Sequence, residues 1–288
     1  MSDIALRPEI VQTPRGAQDF GVVEKKLTAF ERLYNQVWLR KTFLIVLLLV
    51  AWEAYARYLD NELLVPTFSA TITAWWQDME SGVLPSRAWA SLQVLAIGFS
   101  TGLVLAFILT VLAITTRIGT DFLETMTAMF NPLPAIALLP LALIWFGLGI
   151  GSLVFVLVHS VLWAVALNTH AGFRGVSQTL RMVGRNYGLS GLKLVFKILI
   201  PAAFPSILAG LKIGWAFAWR TLIAAELVFG ASSRSGGLGW FISEHRNELA
   251  IDQVFAGMLV VILVGLLVEL GIFRTIERLT VIRWGMQR

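Results

Sequence analysis

The chain contains no cysteine, which excludes disulfides, thiolate metal sites and thiol nucleophiles and leaves cysteine usage silent about compartment. Charge is scarce too. Of 288 residues only 14% are Asp, Glu, Lys or Arg, against 57% hydrophobic, a balance that no soluble core absorbs. Histidine is limited to His159, His170 and His245, scattered along the sequence, and no Asp or Glu occurs between Glu124 and Glu226. Neither a GxxxxGK[ST] phosphate loop nor an HExxH pair is present, and no carboxylates cluster at metal-ligand spacing. The expectation is a chain with no catalytic residue, no metal site and no cofactor of its own. A proton-driven carrier or intramembrane hydrolase places ionisable groups inside its spans; here the clear candidates are few, Lys212, Arg220 and Glu226, all in one apolar run. Such a chain reads as a conduit powered from elsewhere.

What the sequence has is apolar length. Runs near 42–58, 88–115, 125–147, 150–171, 203–230 and 254–273 each reach or approach the roughly 20 residues a helix needs to cross a bilayer. The expected fold class is all-α, a polytopic membrane protein with about six transmembrane helices. An even number of crossings leaves both termini on one side, and Lys and Arg choose which. With the amino terminus in the cytoplasm, the cations before residue 42, Arg117, those of 172–202 and those from Arg274 onward are cytoplasmic, while only Arg57, Arg87, Arg234 and Arg246 fall outside. The net charge of +5 is thus a matter of topology rather than of nucleic acid. The first run follows about forty polar and charged residues with no small-residue cleavage site, so it reads as a retained span.

The expected organisation is a cytoplasmic segment over 1–40, a first span and outer helix over 41–86, a transmembrane domain over 87–276 with a cytoplasmic loop at 172–202, and a cytoplasmic tail over 277–288. Pro8, Pro14 and mixed charge predict disorder for the first twenty or so residues and leave the rest of that segment open to helix. Phe68, Ile72, Trp75, Trp76 and Met79 recur at helical spacing and predict a short amphipathic helix, either lying in the outer interface or packed as a loop helix. Glu53 and Arg57, four apart, predict an intrahelical ion pair.

Polar and helix-breaking residues inside the runs mark candidates for a pathway. Asn131, Pro132, Pro134 and Pro140 remove backbone donors at membrane depth, which fits either a kink or backbone lining a wet cavity. Arg220 is the one permanent cation near mid-span; it either lends positive potential to a pathway for small anions or bridges to a carbonyl or a neighbouring span. Glu226, six residues on, lies on a rather different face and reads as a structural acceptor near the outer end. His159, Trp163 and Asn168 sit at near-helical spacing as interior polar residues or as cavity lining, and Gly210 with Gly214 forms a GxxxG pair suited to packing within the subunit. Ser232–Gly239 is a Gly- and Ser-rich outer loop, followed by Trp240 and Phe241 at interfacial positions.

The loop at 172–202 is basic and acid-free. Ser177 to Tyr187 predicts a short helix begun by a Ser or Thr cap, with Gly188 and Gly191 permitting a turn and Pro201 resetting the chain before the next run. Arg181, Arg185 and Lys193 either face acidic groups of a protein partner or serve topology and anionic membrane lipid.

At this loop the residues resemble a known family. Met182, Val183 and Gly184, then Gly188 and Ile198, Leu199, Ile200 and Pro201, match the spacing of the coupling loop of ATP-binding-cassette importer permeases, where EAA, three residues and Gly precede an I-x-L-P ending. The EAA letters themselves are absent. Pro132 to Pro134, Leu139 to Leu141 and Trp145 to Gly149 resemble the third span of the nitrate, sulfonate and taurine branch, as do Gly210 to Gly214, Trp219 to Glu226 and Gly237 to Gly239. The resemblance covers about residues 88–275 and implies a type I ABC importer permease fold. By that resemblance Arg181, Arg185, Asn186, Tyr187, Gly188, Lys193 and Pro201 form the ATPase-coupling loop, and Asn131, Pro134, Trp219, Arg220 and Glu226 are pathway candidates. It further implies a bacterial inner-membrane location, a second copy of the chain, an ATP-binding cassette ATPase subunit carrying ATP and Mg, and a periplasmic solute-binding protein. The implied substrate is a small anion such as an alkanesulfonate, taurine or nitrate; related permeases also carry aromatic acids and neutral vitamin precursors. The rival readings are a self-contained secondary carrier or channel, and a membrane scaffold.

Overall fold

The computed structural model describes residues 34–229 and 236–286, and the chain divides into two units, Met1–Ala51 and Trp52–Arg288. The proposed disorder of the first twenty residues and residues 232–235 of the outer loop, Arg234 included, lie outside the described residues. Among those described the structure is helical, with no strand.

In the first unit a helix begins that runs on into the second, α1 (Val37–Leu59). Its apolar residues from Phe43 to Leu48 are exposed, as suits a helix whose solvent is lipid. Near its end Arg57 pairs with Glu53 at 2.7 Å, and Glu53 also accepts from Ser69 N at 3.1 Å and Ser69 Oγ at 3.0 Å. The carboxylate therefore serves both its own helix and the first turn of α2 (Phe68–Glu80), where Thr67 is the N-cap. α2 turns Thr71 and Ala74 inward, seats Phe68 against Trp52 and packs on a later helix, while Trp76 stays 63% exposed. The apolar stripe read from the sequence is thus split between packing and exposure.

The core is built around α6 (Ile150–Gly175), whose Val156, Leu157, Val161 and Ala166 are fully buried. Small residues on its neighbours let them approach closely. On α3 (Val83–Thr115) a Cβ at Gly98 would stand 2.6 Å from Leu157 Cβ; on α8 (Ile200–Phe229) a Cβ at Gly210 would stand 2.8 Å from Asn168 Cβ and one at Gly214 3.0 Å from Val165 Cγ2. The GxxxG pair packs within the chain.

Between α3 and α6 lie α4 (Arg117–Phe130), a 3-10 turn (Ala135–Leu138) and α5 (Leu139–Phe146), bent by 89° where Asn131, Pro132 and Pro134 interrupt the helical hydrogen bonding. Glu124 meets Arg174 in the last turn of α6, Phe130 meets Trp163 near its middle, and Ala142 O meets Ser152 Oγ at its start. The two arms of the bent pair thus touch α6 at its last turn, its middle and its start.

Among the described residues four helices are long and apolar enough to cross a membrane, five if the bent pair is one span, and α1, expected as a sixth, is not one of them. After α6 come α7 (Gln178–Asn186), then α8, α9 (Leu238–Asn247) and α10 (Ile251–Leu267). One boundary differs from the sequence reading. Pro201 does not reset the chain: a π-helical turn at Val195–Leu199 widens the coil just before it, and helix runs unbroken from Gly191 to Val228. At the carboxyl end helical turns continue to Ile282, Val281 is buried, Lys212 pairs with Glu277 at 2.8 Å, and Trp284 packs on Phe204.

Candidate functional site

A cavity of about 330 Å³ opens where the bend of the broken span faces α6 and α8. The bend supplies Asn131, Pro132 and Pro134, α6 supplies His159, Ser160 and Trp163, and α8 supplies Phe217, Arg220 and Thr221. Broken backbone at membrane depth thus lines a cavity, the condition under which it is tolerated. Arg220 donates from Nε to Ala216 O at 2.9 Å, and its Cζ stands 5.3 Å from the Phe217 ring. Both contacts are within its own helix. Among the described residues it has no carboxylate partner, and no acid lines the cavity. The bond to Ala216 O is a bridge to a backbone carbonyl, the other reading of this residue.

The wall opposite is aromatic. Phe130 stacks on Trp163 at 5.3 Å and 14°, and His159 meets both rings edge-on at 6.2 and 6.4 Å. Both ring nitrogens of His159 and Nε1 of Trp163 are buried without a hydrogen-bond partner among the described residues.

Trp219 and Glu226 are not brought to this cavity. Trp219 is buried on another face of α8, donating to Val261 O at 3.2 Å and stacking on Trp215 at 6.2 Å. Glu226 is buried at the start of α9 and accepts from Ser91 Oγ at 2.8 Å and Gly239 N at 2.8 Å, while Ser91 Oγ accepts Leu238 N at 2.9 Å. Together they satisfy the orphan amides of an N-terminus that has no side-chain cap of its own. Gly237 is required there, since a Cβ would stand 2.1 Å from Ser91 Oγ and 2.2 Å from Glu226 Oε1. Beside this cap, Arg87 donates to Gly236 O at 3.0 Å and lies 4.2 Å over the Trp240 ring. The sequence reading missed Ser91 and Arg87. Their only signal was polarity near the start of a long apolar run.

At the other end of α6 stands α7. Ser177 Oγ caps it by accepting Leu180 N, and it closes with Gly188 at φ +73°, Gly188 N donating to Arg185 O at 2.8 Å and Leu189 N to Gly184 O at 3.0 Å. Gly184 is buried because a Cβ would meet Leu194 Cδ1 at 2.9 Å; this contact holds α7 against the next turn. Met182, Val183 and Tyr187 are exposed, as are Arg185, Asn186, Lys193 and Pro201. Arg181 is different. Its guanidinium turns back onto the end of α6, donating to Phe173 O and, at 3.3 Å, to Val176 O, where a cation meets the negative end of the helix dipole.

Residues 98–279 match the family model described as "Binding-protein-dependent transport system inner membrane component". The chain is 31% identical over 245 residues, 84% of its length and 90% of the relative's, to an Escherichia coli protein named as an aliphatic sulfonates transport permease, SsuC. It is 35% identical over 158 residues to the E. coli taurine transport system permease protein TauC, covering 55% of this chain and 56% of that one. To the nitrate import permease protein NrtB of Synechocystis it is 29% identical over 253 residues, 85% and 90% of the two chains. Apolar spans arranged around a broken helix, a capped hairpin helix at one end of the bundle, and these likenesses agree: the chain is a multi-pass membrane protein and belongs to the ABC transporter permeases of the nitrate, sulfonate and taurine family.

Proposed function

We propose that this chain is the membrane-spanning subunit of an ATP-driven importer for a small anion. Two copies form the pathway, an ATP-binding cassette subunit carrying ATP and Mg docks on each α7 in the cytoplasm, and a periplasmic solute-binding protein delivers the substrate. The chain itself hydrolyses nothing. The observation that carries this reading is α7: a short helix fixed at both ends, by Ser177 and by Gly188, that presents Met182, Val183 and Tyr187 to whatever lies beyond the bundle. A knob so fixed transmits displacement to α6 and α8 rather than absorbing it.

Alternating access then follows from differential affinity. ATP binding favours the arrangement open to the periplasm, and hydrolysis with product release returns the other. The anion reading draws on Arg220 in an acid-free cavity and on relatives named for sulfonate, taurine and nitrate transport. The test is affinity purification of the tagged chain from its own membranes in mild detergent. An ATP-binding subunit at near-equal stoichiometry is the expected result, and a chain that purifies alone with full transport competence contradicts it.

A further inference from the structure

His170, near the end of α6, is only 5% exposed, and neither of its ring nitrogens has a hydrogen-bond partner among the described residues. The acid beside it is Glu124 of α4, whose Oε1 stands 3.8 Å from His170 Nε2, too far for a hydrogen bond. That same oxygen is held by Arg174, one helical turn further along α6. The two partners offer contacts of similar worth. The Arg174 and Glu124 side chains are 61% and 49% exposed, and an ion pair so open to water is weak, whereas satisfying a buried ring N–H gains about as much. A neutral imidazole carries one N–H, so with the hydrogen on Nε2 it donates to the carboxylate without any change of charge. The carboxylate has to approach it by only roughly 1 Å.

The surroundings permit that approach. α4 buries only Leu123 and Thr127, and its far end is the break at Asn131 to Pro134 that lines the cavity. Arg174 stands three residues before Ser177, the cap of α7, so a displacement of α7 reaches Arg174 first.

We infer that Glu124 is a two-position latch, held by Arg174 in the arrangement described here and by the buried His170 in the other, and that the exchange passes the movement of α7 to the broken span. The inference rests on the reading of α7 as the helix on which the ATPase docks, and adds the residues that relay its motion. None of the three lines the cavity, so they act by positioning. Two partners one turn apart give the α4–α6 contact two discrete states, and contacts of near-equal worth let a docked subunit shift the balance between them.

The test uses the chain labelled with [15N]histidine, in lipid nanodiscs with its unlabelled ATP-binding subunit, and follows the imidazole signals by solid-state NMR. Only three histidines are present, and His170→Leu identifies the signals of His170. Without nucleotide, His170 is expected to show a ring free of hydrogen bonds; trapping with MgATP and vanadate moves its Nε2–H signal to that of a donor to a carboxylate. Glu124→Gln abolishes the shift. Arg174→Gln, which frees the carboxylate, gives the shifted signal without nucleotide. A His170 signal identical in the nucleotide-free and vanadate-trapped complexes overturns the latch while the trapped nucleotide leaves the ATPase reading standing. A chain that retains no ATP-binding subunit overturns the docking reading, and the latch with it.

Discussion

Ser91 and Glu226, 135 residues apart, form one buried cap: the serine hydroxyl donates to the carboxylate at 2.8 Å and accepts the Leu238 amide at 2.9 Å. The pair ties α3 and α8 to the start of α9. Removing either partner strands buried polar groups, so Ser91→Ala is expected to cost roughly 1–3 kcal/mol and Glu226→Leu at least as much. Gly237→Ala, which forces a Cβ into both side chains, should be comparably damaging. Thermal denaturation followed by size-exclusion in detergent measures all three; unchanged melting in Ser91→Ala contradicts the cap.

Arg181 and Arg185 should separate stability from docking. Arg181→Ala removes the capping of the last carbonyls of α6 and is expected to lower stability by about 1–2 kcal/mol. Arg185, exposed on α7, should give the opposite pattern: Arg185→Glu leaves the melting temperature alone and reduces recovery of the ATP-binding subunit in pull-downs.

Gly188 adopts φ +73°, with nothing within 4 Å of the position a Cβ would take. The constraint there is conformational rather than steric, so Gly188→Ala costs about 1–2 kcal/mol of local strain. Gly188→Arg adds bulk and charge at the docking face. It should insert normally and uncouple ATP hydrolysis from transport, read as ATPase activity with less than about a tenth of parent uptake, a loss of over 1.4 kcal/mol in effective coupling.

Asp78 on α2 gives the pH prediction. Burial holds its carboxyl above the ordinary value of 3.8, opposed by His245 and aided by Asp252, and its Oδ2 has no hydrogen-bond partner among the described residues. A raised folded-state pKa means that the folded chain binds this proton more tightly than the unfolded one. The contribution is present below the unfolded value and lost as pH rises through the folded one, so mild acidification stabilises this region. Asp78→Asn should raise the melting temperature at neutral pH and flatten the loss of stability as pH rises above 3.8. A steeper dependence in the variant contradicts the assignment.

Local features of the fold were legible because their causes are local. Ser177 before a short basic stretch, Glu53 four residues from Arg57, and prolines clustered after Asn131 each act within a turn or two of helix. The long-range partners were not legible. Nothing in periodicity tells that Arg181 folds back on Phe173 O, that Trp219 faces Val261 rather than the cavity beside its neighbour Arg220, or that Ser91 meets Leu238. Pro201 misled for a physical reason: a proline breaks an α-helix, but the π-helical turn before it lets the helix continue. The cavity was half visible. Asn131, Pro134 and Arg220 announced themselves as odd residues at membrane depth, whereas His159 and Trp163 look in sequence like any interior polar pair.

The central claim is that work enters through α7 from an ATP-hydrolysing partner, and uptake into proteoliposomes measures it directly. Vesicles holding this chain with its ATP-binding subunit and solute-binding protein should accumulate the anion only with MgATP inside the compartment that holds that subunit, and Arg220→Gln should slow that uptake at equal expression. Uphill accumulation by vesicles containing this chain alone, without nucleotide, would contradict the account.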